Sequence, residues 1–451
     1  MESKIYLGNK MRYFLFHNFR AIFALDRWIK QRFTKIGLLL LASSIAAGVF
    51  GIDTRQNLAY QLFSILLALL LLGIFSSWFF RVRLTARRDL PRLATVGESL
   101  HYQVQVQNHT QKQQQSLILR ENIKLHPPSF ESFLRTKEPG QEKRNWFDNY
   151  VGYPRWLWLM NISKGAEIAE QSLPAISPNS SVSIKMTLTP LRRGYVDFTS
   201  MTFARSDPLG LFNAGCTIDM PTPLLVLPKR YPVNEISLSI ARKFQMGGVP
   251  LALGTGEQAD FDHLREYRPG DSLRHIHWKS WAKVGKPIVK AFQDEFFVRH
   301  ALIFDTFSEE AGGEVFEAAV SVAASFAAAP RNHEVLLDLM FVGTQAYNFT
   351  SGRGLAQSEQ LLEILACVET CTDKPFQDLY NLVMEHTAAL SACVCILLNW
   401  DEPRQKLLHS LTEKGVSFLG IVVSLMEIDT EKFPSVHILH PDAIAEGLAK
   451  F

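Results

Sequence analysis

The densest run of side chains able to do chemistry lies at residues 260–279, DFDHLREYRPGDSLRHIHWK. Asp260, Asp262, Glu266 and Asp271 alternate there with Arg265, Arg268, Arg274 and Lys279, and His263, His275 and His277 stand among them. Carboxylates beside imidazoles are what general acid–base chemistry or a metal centre needs, so a hydrolase built on 260–277 is one reading. Against joint ligation, His275 and His277 are two apart and point to different faces of a helix. The same interleaving also lets acids and bases neutralise one another in a purely structural ion-pair network. Pro269-Gly270 forces a turn, after which Asp271 is expected to cap a helix running to about Val284. Gly285-Lys286-Pro287 stops that helix, and Pro287–Phe292 resumes as a strand.

Elsewhere the catalytic signals are thin. Gly254-Thr255-Gly256 is too short for a phosphate loop and no Gly-Lys-Ser/Thr follows it; a Gly-x-Ser-x-Gly elbow is absent from the sequence. Cys367 and Cys371 fall one turn apart on an expected helix, Cys393 and Cys395 on one face of an expected strand, and Cys216 stands alone. Neither pair has zinc-knuckle or thiol–disulfide spacing, so all five read as buried, reduced thiols. No catalytic residue and no cofactor is assigned, and the chain reads as an interaction protein rather than an enzyme.

The elements that must carry this segment are set by a 451-residue chain with 47% hydrophobic and 20% charged residues, which excludes both a disordered chain and a polytopic transporter. Residues 1–100 hold fourteen Lys/Arg against five Asp/Glu although the whole chain is only +3. A basic end beside apolar segments fits a membrane surface rather than nucleic acid. Ile36 to Ile52 and Leu58 to Phe80 are free of charge and separated by five residues, which reads as a transmembrane helical hairpin with the lipid bilayer as partner. Arg20, Arg27, Lys30, Arg32 and Lys35 precede the first span, and Arg81, Arg83, Arg87 and Arg88 follow the second. Positive residues stay inside, so both termini and the bulk of the chain are expected on the cytoplasmic side of a bacterial inner membrane.

From about Arg83 the texture is polar–apolar alternation, clearest in His101–Asn108, with strands also expected at Gln115–Leu119, Ser181–Leu188, Gly194–Ala204 and Leu224–Leu227. His126–Asn161 reads as an irregular, aromatic-rich, packed insertion. From about Val298 strands alternate with helices, the pattern of a mostly parallel sheet covered on both faces. The expected fold is therefore multidomain. A cytoplasmic or interfacial segment at 1–35 leads to two transmembrane helices at 36–80 and a β-sandwich-like domain at 83–232. A linking segment follows at 233–297, and a doubly wound α/β domain occupies 298–451.

The order Asp260, Phe261, Leu264, Arg265, Tyr267, Pro269, Gly270, Asp271, Arg274, Ile276 and Trp278, trailed by Val289-Lys290-Ala291-Phe292, resembles the signature of the bacterial domain of unknown function 58 family. A second family-like block is Arg192-Arg193-Gly194-Tyr195 with Asp207-Pro208-Leu209-Gly210-Leu211-Phe212. The resemblance covers roughly residues 80–430 and implies a von Willebrand factor A-like domain at the C-terminus. It further implies partnership with a MoxR-type AAA+ ATPase, a transglutaminase-like membrane protein near by, and no established enzymatic activity. It marks the signature residues, with Asp207, Pro208 and Gly210, as interaction candidates. A metal-binding A domain would present Asp-x-Ser-x-Ser after its first strand, since hard oxygen donors suit Mg²⁺. Here the stretch is Asp305-Thr306-Phe307-Ser308-Glu309, so an A-type fold with a degenerate metal position at Asp305 is expected.

Overall fold

A computed structural model describes residues 2–50, 57–78, 80, 82–135, 144–233, 261–271, 273–292, 298–308, 313–329, 335–351, 355–426, 428 and 433–449. The chain divides into two compact units, the first centred on Met1–Arg230 and the second holding most of Tyr231–Phe451.

The first unit opens with helices α1 (Glu2–Arg32), α2 (Lys35–Phe50) and α3 (Asn57–Trp78). Between the first two, Thr34 leaves helical geometry and its Oγ1 accepts the amide of Gly37 at 3.1 Å, capping α2. Within α3, Leu58–Ser77 is long and apolar enough to cross a membrane, whereas α2 is a shorter apolar helix of 16 residues. Leu39, Val49, Leu58, Leu62, Ile65 and Leu71 are all exposed, so one side of this pair is apolar and faces outward, while Leu66 and Leu70 are buried. The start of α2 and the end of α3 both meet one loop, Asp207–Phe212: Gly37 abuts the Leu211 carbonyl and Gly73 abuts the Phe212 ring. The two helices therefore run antiparallel.

Two sheets follow. One takes the order β1-β3-β7-β5 from β1 (Leu84–Asp89), β3 (Leu100–Asn108), β5 (Ala166–Ile168) and β7 (Ser181–Pro190). The other takes the order β2-β9-β8-β4-β6 from β2 (Leu93–Thr95), β4 (Ile118–Ile123), β6 (Gln171–Ser172), β8 (Gly194–Ser206) and β9 (Asn213–Leu227). Alternation along β3 turns Tyr102, Val104 and Val106 inward and leaves His101, Gln103 and Gln105 outside. Those inward residues, with Met186 and Leu188, share one core with Leu119, Phe198, Phe203 and Val226 of the second sheet. A fully buried ion pair crosses that core, Arg88 Nη2 to Glu121 Oε2 at 2.6 Å. The stretch expected to be irregular holds three short helices, α4 (Phe130–Arg135), α5 (Trp146–Val151) and α6 (Tyr153–Ile162). Phe133 and the fully buried Trp156 pack on Phe16 and Phe19 of α1, so aromatic area replaces the missing helical period.

The second unit begins with a hairpin, β10 (Phe261–Glu266) and β11 (Ile288–Phe292), enclosing helix α7 (Trp278–Val284). A six-stranded sheet follows in the order β14-β13-β12-β15-β16-β17, made of β12 (Val298–Phe304), β13 (Val335–Val342), β14 (Ala346–Ser351), β15 (Ala392–Leu397), β16 (Ser417–Val423) and β17 (Val436–Leu439). Every pairing is parallel except that of β14 with β13, and β14 was not expected from the sequence. The helices are α8 (Glu314–Ala328), α9 (Leu355–Cys367), α10 (Gln377–His386), α11 (Glu402–Glu413) and α12 (Ile444–Leu448). Val383, Leu407 and Leu411 from α10 and α11 share a core with Ile303, Met340, Cys395 and Val422 of the sheet. All five cysteines are free; Cys371 lies beyond the end of α9 rather than on it with Cys367, and Cys393 and Cys395 are buried side by side.

Candidate interaction site

The signature segment folds as a compact hairpin whose charged residues divide into two sets. Asp260 and Gly254–Gly256 lie outside the described residues, and Phe261 pairs with Phe292 at the open end of the ladder. Arg265 grips Asp271 with both terminal nitrogens, Nη1 to Oδ2 and Nη2 to Oδ1, each at 2.7 Å. The same carboxylate accepts the Arg268 amide at 2.8 Å, while the Asp271 amide returns to the Arg268 carbonyl. Asp271 therefore closes the turn through Pro269-Gly270 and does not cap the following helix. Gly270 sits at φ 108°, a conformation that side-chain-bearing residues rarely adopt. The expected long helix is a short 3₁₀ turn, Leu273–His275, then α7. The His277 ring meets the Ser280 hydroxyl at 2.7 Å beside the first turn of α7. The Arg265 fork, followed by the Arg268 amide, lowers the Asp271 pKa to about 2.

The second set faces solvent. Arg268, Arg274, Lys279, Lys283 and Lys290 are exposed and form no ion pair among the described residues, whereas Lys286 pairs with Glu266. Trp278 is 66% exposed and stacks on Trp281 with ring centroids 5.3 Å apart; Leu264, Leu273 and Val284 of the same segment are also exposed. Ile276 turns the other way and is buried against Val289, and the Tyr267 amide ties back to the Pro287 carbonyl. His275 is exposed and His277 partly buried. Among the described residues, no group of three or more His, Cys, Asp or Glu is placed to hold a metal ion.

In the first unit, the upstream block has an internal role. Asp207 is buried, and its carboxylate accepts the amides of Leu211 at 2.6 Å, Phe212 at 2.8 Å and Leu209 at 3.3 Å. Pro208 and Leu209 form the exposed bend, and Gly210 adopts φ 68° and donates to the Asp207 carbonyl. The bend drives Leu211 and Phe212 against Leu70, Phe33 and Leu40. Thr34 seals it, its amide and hydroxyl both donating to the Leu211 carbonyl.

Asp305 follows β12, where the strand order reverses between β12 and β15, the usual ligand crevice of an open α/β sheet. Its carboxylate is fully buried and accepts Arg404 Nε at 2.6 Å and the amides of Phe307 and Leu398 at 3.0 Å each. Arg404 also binds the Asp401 carboxylate and the Phe307 carbonyl, and its guanidinium lies over the Phe376 ring. The guanidinium thus supplies the positive charge beside the buried carboxylate. Burial pushes the Asp305 pKa up, and Arg404 opposes that shift. Arg404, 99 residues away in sequence, carried no local signal that links it to Asp305.

With these positions fixed, comparison identifies the region. The family model described as Protein of unknown function DUF58 matches residues 263–385. That stretch belongs to the DUF58 family. The DUF58 match takes in the hairpin from His263 onward and the sheet as far as α10, and leaves out the upstream block at 192–212. No curated protein matches the chain. Among solved structures, a Salmonella alpha-2-macroglobulin is similar over 34% of this chain and 8% of that one, at 10% identity and a TM-score of 0.18. Spo0M, a sporulation control protein from Bacillus subtilis, is similar over 33% of this chain and 50% of that one, at 10% identity and a TM-score of 0.15. The chain thus spans half or less of the length of these structures, and neither likeness bears on its fold or function.

Proposed function

We propose that this chain is a membrane-anchored accessory protein whose DUF58 hairpin docks an acidic surface of a partner, a MoxR-type AAA+ ATPase. The observation that carries this is the Trp278–Trp281 stack, with Trp278 exposed, in a segment whose Arg268, Arg274, Lys279, Lys283 and Lys290 are also exposed and form no ion pair among the described residues. Stacked aromatics beside free positive charge make an anchor that a groove with an acidic rim can desolvate. The bidentate Arg265–Asp271 pair keeps the turn rigid, so little order has to be gained on binding. Anchoring is supported by α2 and α3, which are antiparallel and apolar on their outer faces. At 1.5 Å per residue they are about 24 and 33 Å long, against a hydrocarbon core of about 30 Å. A von Willebrand factor A-like domain is supported by the sheet order, with one antiparallel edge strand, although its metal position is taken by Arg404. The hydrolase reading is not favoured, since among the described residues no group of three or more His, Cys, Asp or Glu is placed to hold a metal ion.

The test is co-purification from intact membranes with mass spectrometry of the retained proteins. Trp278→Ala, and separately Lys279→Glu with Lys283→Glu, are expected to lose an ATPase that wild type and Lys112→Gln retain. Equal retention by all four proteins removes the hairpin as the docking surface.

A further inference from the structure

Beside the start of α2 is a polar cavity of about 210 Å³, lined by Arg27 and Arg32 of α1, Arg120 and Asn122 of β4, Thr202 of β8 and Thr217 of β9, among others. Its lining includes three guanidinium groups and no carboxylate. Arg27 and Arg32 form no ion pair among the described residues; Arg120 Nε lies 2.8 Å from Glu170 Oε1, and its Nη1 reaches the Gln31 carbonyl at 3.4 Å. The opposite wall is built rather than accidental: the Asn122 amide donates to Ser200 and Thr202, and the Thr202 hydroxyl meets that of Thr217 at 3.0 Å.

We infer that this cavity binds a phosphate group, held between the guanidinium groups of Arg27, Arg32 and Arg120. Guanidinium matches phosphate oxygens in charge and in planar fork geometry, while hydroxyl and amide groups supply secondary donors. Position selects the source. Arg32 precedes the first residue of α2 by three, and Trp28 and Phe33 lie beside it with ring centroids 6.3 Å apart, an arrangement suited to the headgroup layer. The ligand is therefore assigned as the headgroup of an anionic phospholipid, with free phosphate as the alternative supply of the same chemistry. The cavity stands without the membrane reading; only the lipid source rests on it.

The full chain, purified in an uncharged detergent, is titrated with short-chain phosphatidylglycerol, with the matching diacylglycerol lacking phosphate, and with inorganic phosphate. Retained ligand is read by native mass spectrometry, which does not require bilayer insertion, so failure here is distinct from failure of the anchor. Phosphatidylglycerol is expected to be retained and diacylglycerol not, with Arg27→Gln and Arg32→Gln each weakening retention about tenfold. Lys30→Gln, on the same helix but paired with Asp26, is expected to behave as wild type. Arg120→Lys serves beside Arg120→Gln because the residue also meets Glu170, and unchanged melting of either keeps the result interpretable. Saturable binding of inorganic phosphate as tight as that of the lipid assigns the site to the free ion. Equal retention of the two lipids, or retention unchanged in the Arg27 and Arg32 variants, overturns the proposal.

Discussion

At the residue scale the two carboxylate–guanidinium pairs of the second unit behave differently, because one is sealed and the other is half in water. Removing Arg404 leaves the Asp305 carboxylate buried with only two amides, so Arg404→Met is expected to cost about 3–5 kcal/mol. Asp305→Leu combined with Arg404→Met removes both charges and is expected to recover most of that loss; urea unfolding of the three proteins checks it. The Arg265–Asp271 pair titrates instead. The folded pKa of Asp271 is about 2 against an ordinary 3.8, so its contribution is complete above about pH 4 and is lost as pH falls toward 2. Melting temperature followed from pH 5 to pH 2 is expected to fall more for wild type than for Asp271→Asn, and equal slopes refute the pairing. The sequence showed Asp305 at a strand end and Asp271 at a turn, but not their partners. Arg404 meets Asp305 only through the crossover of β15, and Glu121 meets Arg88 only across two sheets. Such pairings are made by topology, which short-range pattern does not encode.

At the element scale the seat of the apolar helices on the Asp207–Phe212 loop is the most constrained contact. A Cβ on Gly37 would sit 2.1 Å from the Leu211 carbonyl oxygen, whereas one on Gly73 would sit 2.7 Å from the Phe212 ring, a side chain rather than backbone. Gly37→Ala is therefore expected to lower stability by about 3 kcal/mol, near the upper end for overpacking. In Gly73→Ala a helix-propensity gain of about 1 kcal/mol offsets part of the strain. Thermal melting in detergent separates the two, and equal melting refutes this account of the seat. Strands β3, β7 and β8 were legible because half-burial imposes alternation, as in β3, whereas β1, β2, β5 and β6 were not expected and β4 and β9 were caught only in part. Helix α8 was legible to the residue because its apolar spacing holds along its whole length. What escaped were elements without a period. Helices α4–α6 are held by aromatic contacts with α1, and β14 is a short edge strand of mixed polarity behind the turn at Gly343. The start of α7 was misplaced because Asp271, a good cap by type, is already committed to Arg265.

For the molecule as a whole, the question that matters most is which side of a membrane holds the DUF58 region. On the proposed reading that both cross, helices α2 and α3 return the chain to its starting side, since Gly37 and Gly73 lie at one loop. Lys30 and Arg32 before α2, Lys35 at its start, and Arg83, Arg87 and Arg88 after α3 would then share one side, while residues 51–56 carry a single Arg and a single Asp. Retention of positive flanks predicts that this shared side is the cytoplasmic one. A reporter active only in the periplasm, fused after Phe451, is expected to stay silent, and the same reporter inserted at Gln56 is expected to be active. The paired design discriminates among three other arrangements. Activity at the C-terminus alone puts Gln56 inside and the C-terminus outside, whereas activity at both or silence at both means that α3 does not cross. A further variant replaces Arg83, Arg87 and Arg88 with Gln. If charge sets the orientation, this variant is expected to raise C-terminal activity above zero, and an unchanged pattern would assign the orientation to the folded body rather than to its flanks.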